Sequence, residues 1–320
     1  MMKQKKKEII TCPICNEKTS TTKALNSSFI KSKLSKHFNN QIDEGVEIID
    51  YTLQKCSNCT FEHAFPFVEG SSSFYNWVTS HSTYYPPTRW EYSKVLELLK
   101  NNDQQHKLLD VGCGDGVFFD FINKNKNKNI TFFGLDPTKE SAEKCLQKGY
   151  DVYCTDIQGF KSAHNDEYFD AITVFHVLEH IANPKEFLKE LISLTSPAGA
   201  VYSSTPYSPM DFELDWFDIL NHPPHHMGRW NLKSYKKMAE MLELNVEFFM
   251  PERTSLISSI IQSFMFSLQG NLYNKSRLNI LLNIIKNPIK FSSHLIKQSK
   301  RDKVIGERAA NVVLLKFTKK

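Results

Sequence analysis

Apolar and polar positions change period several times along the chain. Between residues 107 and 205, short apolar runs alternate with segments whose apolar positions recur every three to four residues. Leu108-Leu109-Asp110-Val111, Ile130 to Leu135, Val152-Tyr153-Cys154-Thr155, Phe169 to Phe175 and Ala200 to Ser204 read as buried strands. Val117–Asn123, Lys139–Lys148 and Pro184–Leu194 read as the helices between them, and such alternation predicts an open α/β sheet of largely parallel strands. Further on, Leu232–Leu242 reads as a helix with Asn231 as its N-cap, and Leu256–Leu268 and Leu278–Ile285 as apolar or amphipathic helices. Near the N-terminus, Val46 to Tyr51 leading into Leu53 to Cys56 reads as sheet.

At 320 residues with 41% hydrophobic content, the chain is long enough for about two domains and ordinary for a globular protein. Its net charge of +5 hides a split. Residues 1–40 carry 9 Lys and 2 Glu, residues 41–251 carry 18 Lys+Arg and 30 Asp+Glu, and residues 252–320 carry 13 Lys+Arg and 3 Asp+Glu. An acidic middle repels a phosphate backbone, so nucleic acid is disfavoured as substrate. No run approaches ~18–20 apolar residues, and the basic N-terminus lacks the apolar core of a secretory signal. A cytoplasmic protein with reduced thiols is expected, which turns attention from disulfides to metal ligation.

Cys12-Pro13-Ile14-Cys15 and Cys56-Ser57-Asn58-Cys59 are two C-x2-C units. Each such knuckle aims two thiolates at one point, and two of them complete a closed four-thiolate shell for structural Zn2+; the bland alternative is four buried thiols. His63 is expected as a lone surface histidine rather than a ligand. Cys113, Cys145 and Cys154 lie apart in sequence, and Cys113 suits its glycine loop by size alone.

The loop Asp110-Val111-Gly112-Cys113-Gly114-Asp115-Gly116 follows a strand and opens a helix, so Gly112, Gly114 and Gly116 let the backbone approach a ligand closely. Asp136 ends the second strand, where a carboxylate can accept from both hydroxyls of a ribose, and Asp156 ends the third. LLDVGCGDG, FFGLDP, the acid after the third strand, FDAITVFHVLEH and SPAGAVYSSTP resemble, in order, the motifs of class I S-adenosylmethionine-dependent methyltransferases. HVLEH and HPPHH resemble the branch that contains the ubiquinone-biosynthesis O-methyltransferases. The resemblance covers residues 88–251 and the final strand. It implies a seven-stranded Rossmann-like sheet, bound S-adenosylmethionine, and methyl transfer. Asp110 with the glycine loop would hold the amino-acid end of the cofactor, Asp136 the ribose, Asp156 with the Ile157 backbone the adenine, and Phe175 would also line the site. Leu244 to Phe249 and Asn311 to Thr318 would be the paired last strands. The expected division is a zinc-ribbon-like domain at 1–70, a methyltransferase domain at 71–251 and 306–320, and a basic helical insertion at 252–305. That insertion suits a helical cap or dimer surface, or peripheral attachment to an anionic membrane.

His176-x-x-Glu179-His180 matches a zinc-protease pattern, but its place after a buried strand points to the methyl-transfer mouth, with His176 lining the acceptor pocket. In His222-Pro223-Pro224-His225-His226 two prolines stiffen the loop and position the imidazoles, and His226, then His225, are the candidate general bases. Tyr84 and Tyr85 either shape the acceptor pocket or pack in a linker. The paired knuckles ahead of such a module also resemble the zinc domain of bacterial deoxysugar C-methyltransferases, but the present sequence stops short of that family's extra C-terminal domain, a departure that counts against C-methylation of a keto-sugar. A small sugar-like acceptor, methylated at O, N or C, is therefore expected. The alternatives are an rRNA methyltransferase with a zinc ribbon and a non-catalytic cofactor-binding assembly factor.

Overall fold

The computed structural model describes residues 9–81, 84, 88–100, 104–127, 129–164, 166, 168–210, 213, 217–251, 255–269, 276–299 and 311–320. Two sheets organise them. The larger has seven strands, β4 (His106–Val111), β5 (Ile130–Leu135), β6 (Val152–Tyr153), β7 (Phe169–Phe175), β8 (Thr195–Pro206), β10 (Leu244–Phe249) and β11 (Val312–Lys319), in the order β10-β11-β8-β7-β4-β5-β6. The five strands from β4 to β8 run parallel; β11 is antiparallel to both β8 and β10. The chain leaves β4 towards β5 on one side and later returns to β7 on the other. The crevice at the carboxyl ends of β4 and β7 is thus a topological switch point, where α/β sheets bind ligands.

Period-two alternation divides the strand residues between two cores. Leu109, Ile172, Val201, Val313 and Leu315 pack with α6 (Ile157–Ala163), α7 (Pro184–Ser193) and α8 (Leu232–Met241) through Phe160, Leu188, Leu191 and Tyr235. Leu108, Ala171, Ala200 and Leu314 face α3 (Trp90–Lys100), α4 (Val117–Lys124) and α5 (Lys139–Gln147) through Tyr92, Val95, Phe118, Phe119 and Cys145. Asn231 does cap α8, accepting from the Ser234 and Lys233 amides while Ser234 Oγ accepts from its own N–H.

The smaller sheet, β1-β2-β3-β9, combines β1 (Thr19–Leu25), β2 (Tyr51–Cys56) and β3 (Glu62–Phe65) with β9 (Gly228–Arg229), a strand 163 residues further along than the end of β3. Phe61 packs on Trp230 at 4.4 Å between ring centroids, and Trp230 stacks on Tyr235 of α8 at 4.7 Å. The Cys-bearing sheet is therefore continuous with the core of the large one. Its other side packs α1 (Ser27–Phe38) and α2 (Ser72–Thr79) around Leu25, Ile30, Leu34, Phe74 and Trp77.

Several local expectations change. β2 begins at Tyr51, leaving Val46 to Asp50 outside any strand. β1, α1, α2 and α6 lie where the hydrophobic pattern predicted no element. Between β10 and β11 come α9 (Leu256–Gln269) and α10 (Arg277–Lys286), as expected, and a third helix, α11 (Pro288–Ser299). The boundary at 305–306 and Tyr85 lie outside the described residues. His63 is not on the surface: it is 2% exposed, stacked beside Phe61, with Nδ1 donating to the Ala64 carbonyl. It belongs to the β3 core because β9 covers the strand that carries it. No helix among the described residues is long and apolar enough to cross a membrane.

Candidate active site and four-cysteine centre

The glycine loop is shaped by its backbone. Gly112, Gly114 and Gly116 have φ of 75°, 53° and 75°, in the left-handed region that favours glycine. A Cβ on Gly112 would lie 2.5 Å from Val177 Cγ2, so the loop and the segment after β7 touch at that glycine. The Gly112 and Cys113 amides donate to Leu135 O, and Gly114 N donates to Asp136 Oδ2 at 2.9 Å. Asp136 Oδ1 accepts from Thr138 N at 2.9 Å. These bonds orient the Asp136 carboxylate and leave lone pairs on both oxygens.

Asp110 is 3% exposed and accepts from Thr173 Oγ1 at 2.7 Å. Burial pushes its carboxyl up to about 7, against that hydrogen bond. Cys113 and Cys145 pack against each other behind the loop, with Cys145 Sγ 3.2 Å from Gly114 O. Gly116 forms the N-cap position of α4. Asp156 is used as the N-cap of α6, accepting from Gly159 N at 2.8 Å, and the Ile157 side chain is buried beside it.

A cavity of about 1510 Å3 joins this loop to the histidines. Its wall includes Asp110, Gly112, Gly114, Asp136 and Phe175 on one side and His176, Glu179, His180, His225, His226 and Tyr84 on the other; Gly116, Asp156 and Ile157 are not part of it. His176 directly follows β7 at φ 56°, an unusual value for a residue with a Cβ, and its N–H donates to Ser204 O. Nε2 meets Glu91 Oε1 at 3.0 Å and Nδ1 lies 3.3 Å from Glu179 Oε1. Burial disfavours a charged ring, but contact with the two carboxylates overcomes it and raises the His176 pKa. His176 is thus suited to carry charge between two acids rather than to accept a proton. The HVLEH segment forms turns, not a helix start.

The histidine loop is held from both sides. The Met227 and Gly228 amides donate to Glu179 O at 2.8 and 3.0 Å, and Ala64 N donates to Met227 O. His225 Nδ1 donates to Leu220 O at 2.7 Å and its Nε2 meets Tyr84 Oη at 2.9 Å. His226 Nδ1 pairs with Asn221 Oδ1 at 3.0 Å. Burial, reinforced by neighbouring rings, lowers the pKa of both well below the usual value and keeps them neutral. Arg229, 8% exposed, bridges Glu62 of β3 and Glu213 and also donates to Asn221 O. Sequence reasoning missed Glu91, Asn221 and Arg229: Glu91 meets His176 and Arg229 meets Glu62 from far away in the chain, and Asn221 meets His226 within a loop that no periodic pattern describes.

Cys12, Cys15, Cys56 and Cys59 offer sulfurs within 4.8 Å of one another, with Cys12–Cys59 and Cys15–Cys56 both at 3.6 Å. Metal–sulfur bonds of ~2.3 Å in a tetrahedron place sulfurs about 3.8 Å apart, so the donor set fits zinc in distance and in chemistry. Asn58 N and Cys59 N point at Cys56 Sγ at 3.4 Å, as amides do around a thiolate.

Sheet order, switch-point crevice and glycine loop define a doubly wound, nucleotide-type binding module. Residues 85–247, half of the chain, match the family described as Methyltransferase domain, and the chain belongs to that family. A mitochondrial ubiquinone biosynthesis O-methyltransferase of Dictyostelium discoideum is 28% identical over 112 residues, which is 31% of this chain and 34% of that protein. The ubiquinone biosynthesis O-methyltransferase of Vibrio parahaemolyticus is 32% identical over 104 residues, 31% of this chain and 43% of that protein. The chain thus spans about a third to two fifths of these relatives' length. Among solved structures, a methyltransferase of Archaeoglobus fulgidus described as SAM dependent is 17% identical with a TM-score of 0.46, covering 71% of this chain and 92% of that one. The plantazolicin methyltransferase BpumL in complex with SAH is 15% identical with a TM-score of 0.45, covering 72% and 82%.

Proposed function

We propose that the chain transfers the methyl group of S-adenosylmethionine to a small-molecule acceptor, a sugar or glycan precursor, at O, N or C. The observation that carries this reading is the shared cavity, in which a glycine loop with two ordered acids faces a rigid group of neutral imidazoles. A sulfonium cofactor is cationic and has no phosphate, so Asp110 and Asp136 suit its ammonium and ribose ends. The backbone amides of the glycine loop are free of Cβ obstruction on the same wall. Asp156 and Ile157, at the start of α6 just after β6 and outside the lining of the cavity, remain the residues we assign to the adenine. Attack on the methyl group must be in line with the carbon–sulfur bond, so the rigidity of the histidine loop contributes by positioning. His226, then His225, is the group we assign to take up the acceptor's proton; His176 positions the wall.

The acidic residues along the cavity disfavour an RNA backbone, and the relatives' names, ubiquinone biosynthesis O-methyltransferase, support a hydroxylated small acceptor. In the N-terminal part, Cys12, Cys15, Cys56 and Cys59 are proposed to hold one structural Zn2+. Calorimetric titration with S-adenosylhomocysteine tests the cofactor reading: saturable binding is expected, and its absence in folded protein would refute it. Turnover with a panel of sugar nucleotides, against His226→Ala that still binds the cofactor product, tests the acceptor side.

A further inference from the structure

The segment after β7 and the histidine loop form a cluster that neither shows alone. His180, His225 and His226 each offer one ring nitrogen, and these three atoms lie within 4.8 Å of one another. Their ring centroids are 4.5 to 4.8 Å apart. In every ring Nδ1 faces an oxygen acceptor: the His225 carbonyl for His180, Leu220 O for His225, and Asn221 Oδ1 for His226. The Asn221 amide is oriented independently, since its Nδ2 donates to Ser208 Oγ and to Glu213. An acceptor at Nδ1 fixes the proton there and directs the lone pair to Nε2 in each ring; that of His225 accepts from Tyr84 Oη at 2.9 Å, a bond that a bound cation would replace. Anchoring one ring nitrogen on a carbonyl or amide is how imidazole ligands are oriented for a metal.

A second observation points the same way. Glu179 is 1% exposed, neither of its carboxylate oxygens makes a well-directed hydrogen bond, and Oε1 lies 3.9 Å from His226 Nε2. The cationic His176 ring, 3.3 Å from Oε1, is shared between Glu179 and Glu91, so a further cation on the His226 side would help to balance two buried carboxylates.

We propose that His180, His225 and His226 bind a divalent transition-metal cation of the zinc, cobalt and nickel class on the cavity wall, with Glu179 supplying charge behind it. Three neutral nitrogens leave at least one coordination position open, the arrangement of a site that receives an exchangeable oxygen. The open position faces the cofactor cavity, so the acceptor class is a hydroxyl or vicinal diol that binds through oxygen. This deepens the methyl-transfer reading and rests on it for the acceptor. The cation would lower the pKa of a bound hydroxyl, whose proton would pass to water in the open cavity, because a ring that ligates through Nε2 and is protonated at Nδ1 cannot also accept it.

The test counts metal in the full-length chain. Protein prepared with zinc supplied should hold two equivalents by mass spectrometry, one in the four-cysteine centre and one here. The His225→Gln/His226→Gln double variant should hold one and bind S-adenosylhomocysteine as the parent does. Titration of ZnCl2 into protein carrying one equivalent should show a second site, weakened at least about tenfold by His180→Asn. One equivalent in the parent, or two in the double variant, overturns the proposal. If the double variant does not fold, the cobalt(II) spectrum of the parent decides. A second equivalent that adds weak visible bands without further sulfur charge transfer supports nitrogen ligation, and a spectrum from sulfur-bound cobalt alone overturns it. Failure to bind S-adenosylhomocysteine while two metals are present would sink the methyltransferase reading instead.

Discussion

Asp136 and Asp110 do different work at the residue scale. Asp136 is already oriented by two backbone amides, so Asp136→Ala removes a pre-set acceptor as well as the loop's anchor. We expect S-adenosylhomocysteine affinity to fall at least about tenfold in calorimetry, roughly the loss of one charge-assisted hydrogen bond; unchanged affinity would refute the ribose assignment. Asp110 is held up to about 7 by burial, so near neutrality part of the cofactor-free protein carries it protonated. A raised carboxyl makes the cofactor-free fold lose stability as pH rises from about 4 through 7, because the charged form is the disfavoured one. Binding a cationic ammonium reverses that preference and releases the proton. Cofactor affinity should therefore increase as pH rises towards and through 7, and Asp110→Asn should flatten that dependence. An equal slope in the variant would mean that another group titrates.

At the scale of elements, the two-residue strand β9 joins the small sheet to the wall of the cavity. Arg229 on that strand meets Glu62 across β3 and Glu213 beyond it, all largely buried. Removing the cation leaves two carboxylates close together without a partner, which costs about 3–5 kcal/mol. Arg229→Ala should lower the unfolding free energy by that order in denaturant titration. It should also loosen the His222–His226 loop, reducing turnover more than S-adenosylhomocysteine affinity. Loss of less than about 1 kcal/mol would show that the pairing is not what holds the sheets together. The elements themselves were unevenly legible. β7 and the Ala200–Thr205 part of β8 are buried on both faces, while β4 and β5 are buried mainly towards their carboxyl ends; the short apolar runs within these strands stand out in sequence. By contrast β1, with one buried residue in Thr19–Leu25, has no pattern of its own and exists because β2 offers it a hydrogen-bonding edge.

For the whole molecule, the four-cysteine centre and the proposed active site share one core. Cys12, Cys56, Cys59 and Phe61 lie in the same apolar cluster as Trp230, Tyr235 and the face of β8 and β11. Stripping zinc with a strong chelator should therefore reach the cavity: turnover should be lost while cofactor binding, set by β4, β5 and the glycine loop, is retained within a few-fold. Full turnover after verified zinc loss would show that the two parts are independent. The split in charge has a matching reading. The acidic residues of the middle segment include the carboxylates on the cavity wall, whereas the basic ends belong to the small sheet's side of the chain and to the region of α9 to α11.

The order of apolar runs, the glycine loop, the acids at strand ends and the paired cysteine knuckles were determined by the sequence itself. Each single strand, turn or knuckle depends on neighbours within about ten residues, where strand period, turn chemistry and ligand spacing act directly; the meeting of the two knuckles is the exception. Only the tertiary structure decided that Glu91 and Glu179 bracket His176, that His180 joins His225 and His226, that His63 is buried, and that a strand at 228–229 completes the N-terminal sheet. Those features bring together groups separated by tens to hundreds of residues. Their energies come from burial and hydrogen bonds that exist only once the sheets have packed, so no local pattern could announce them.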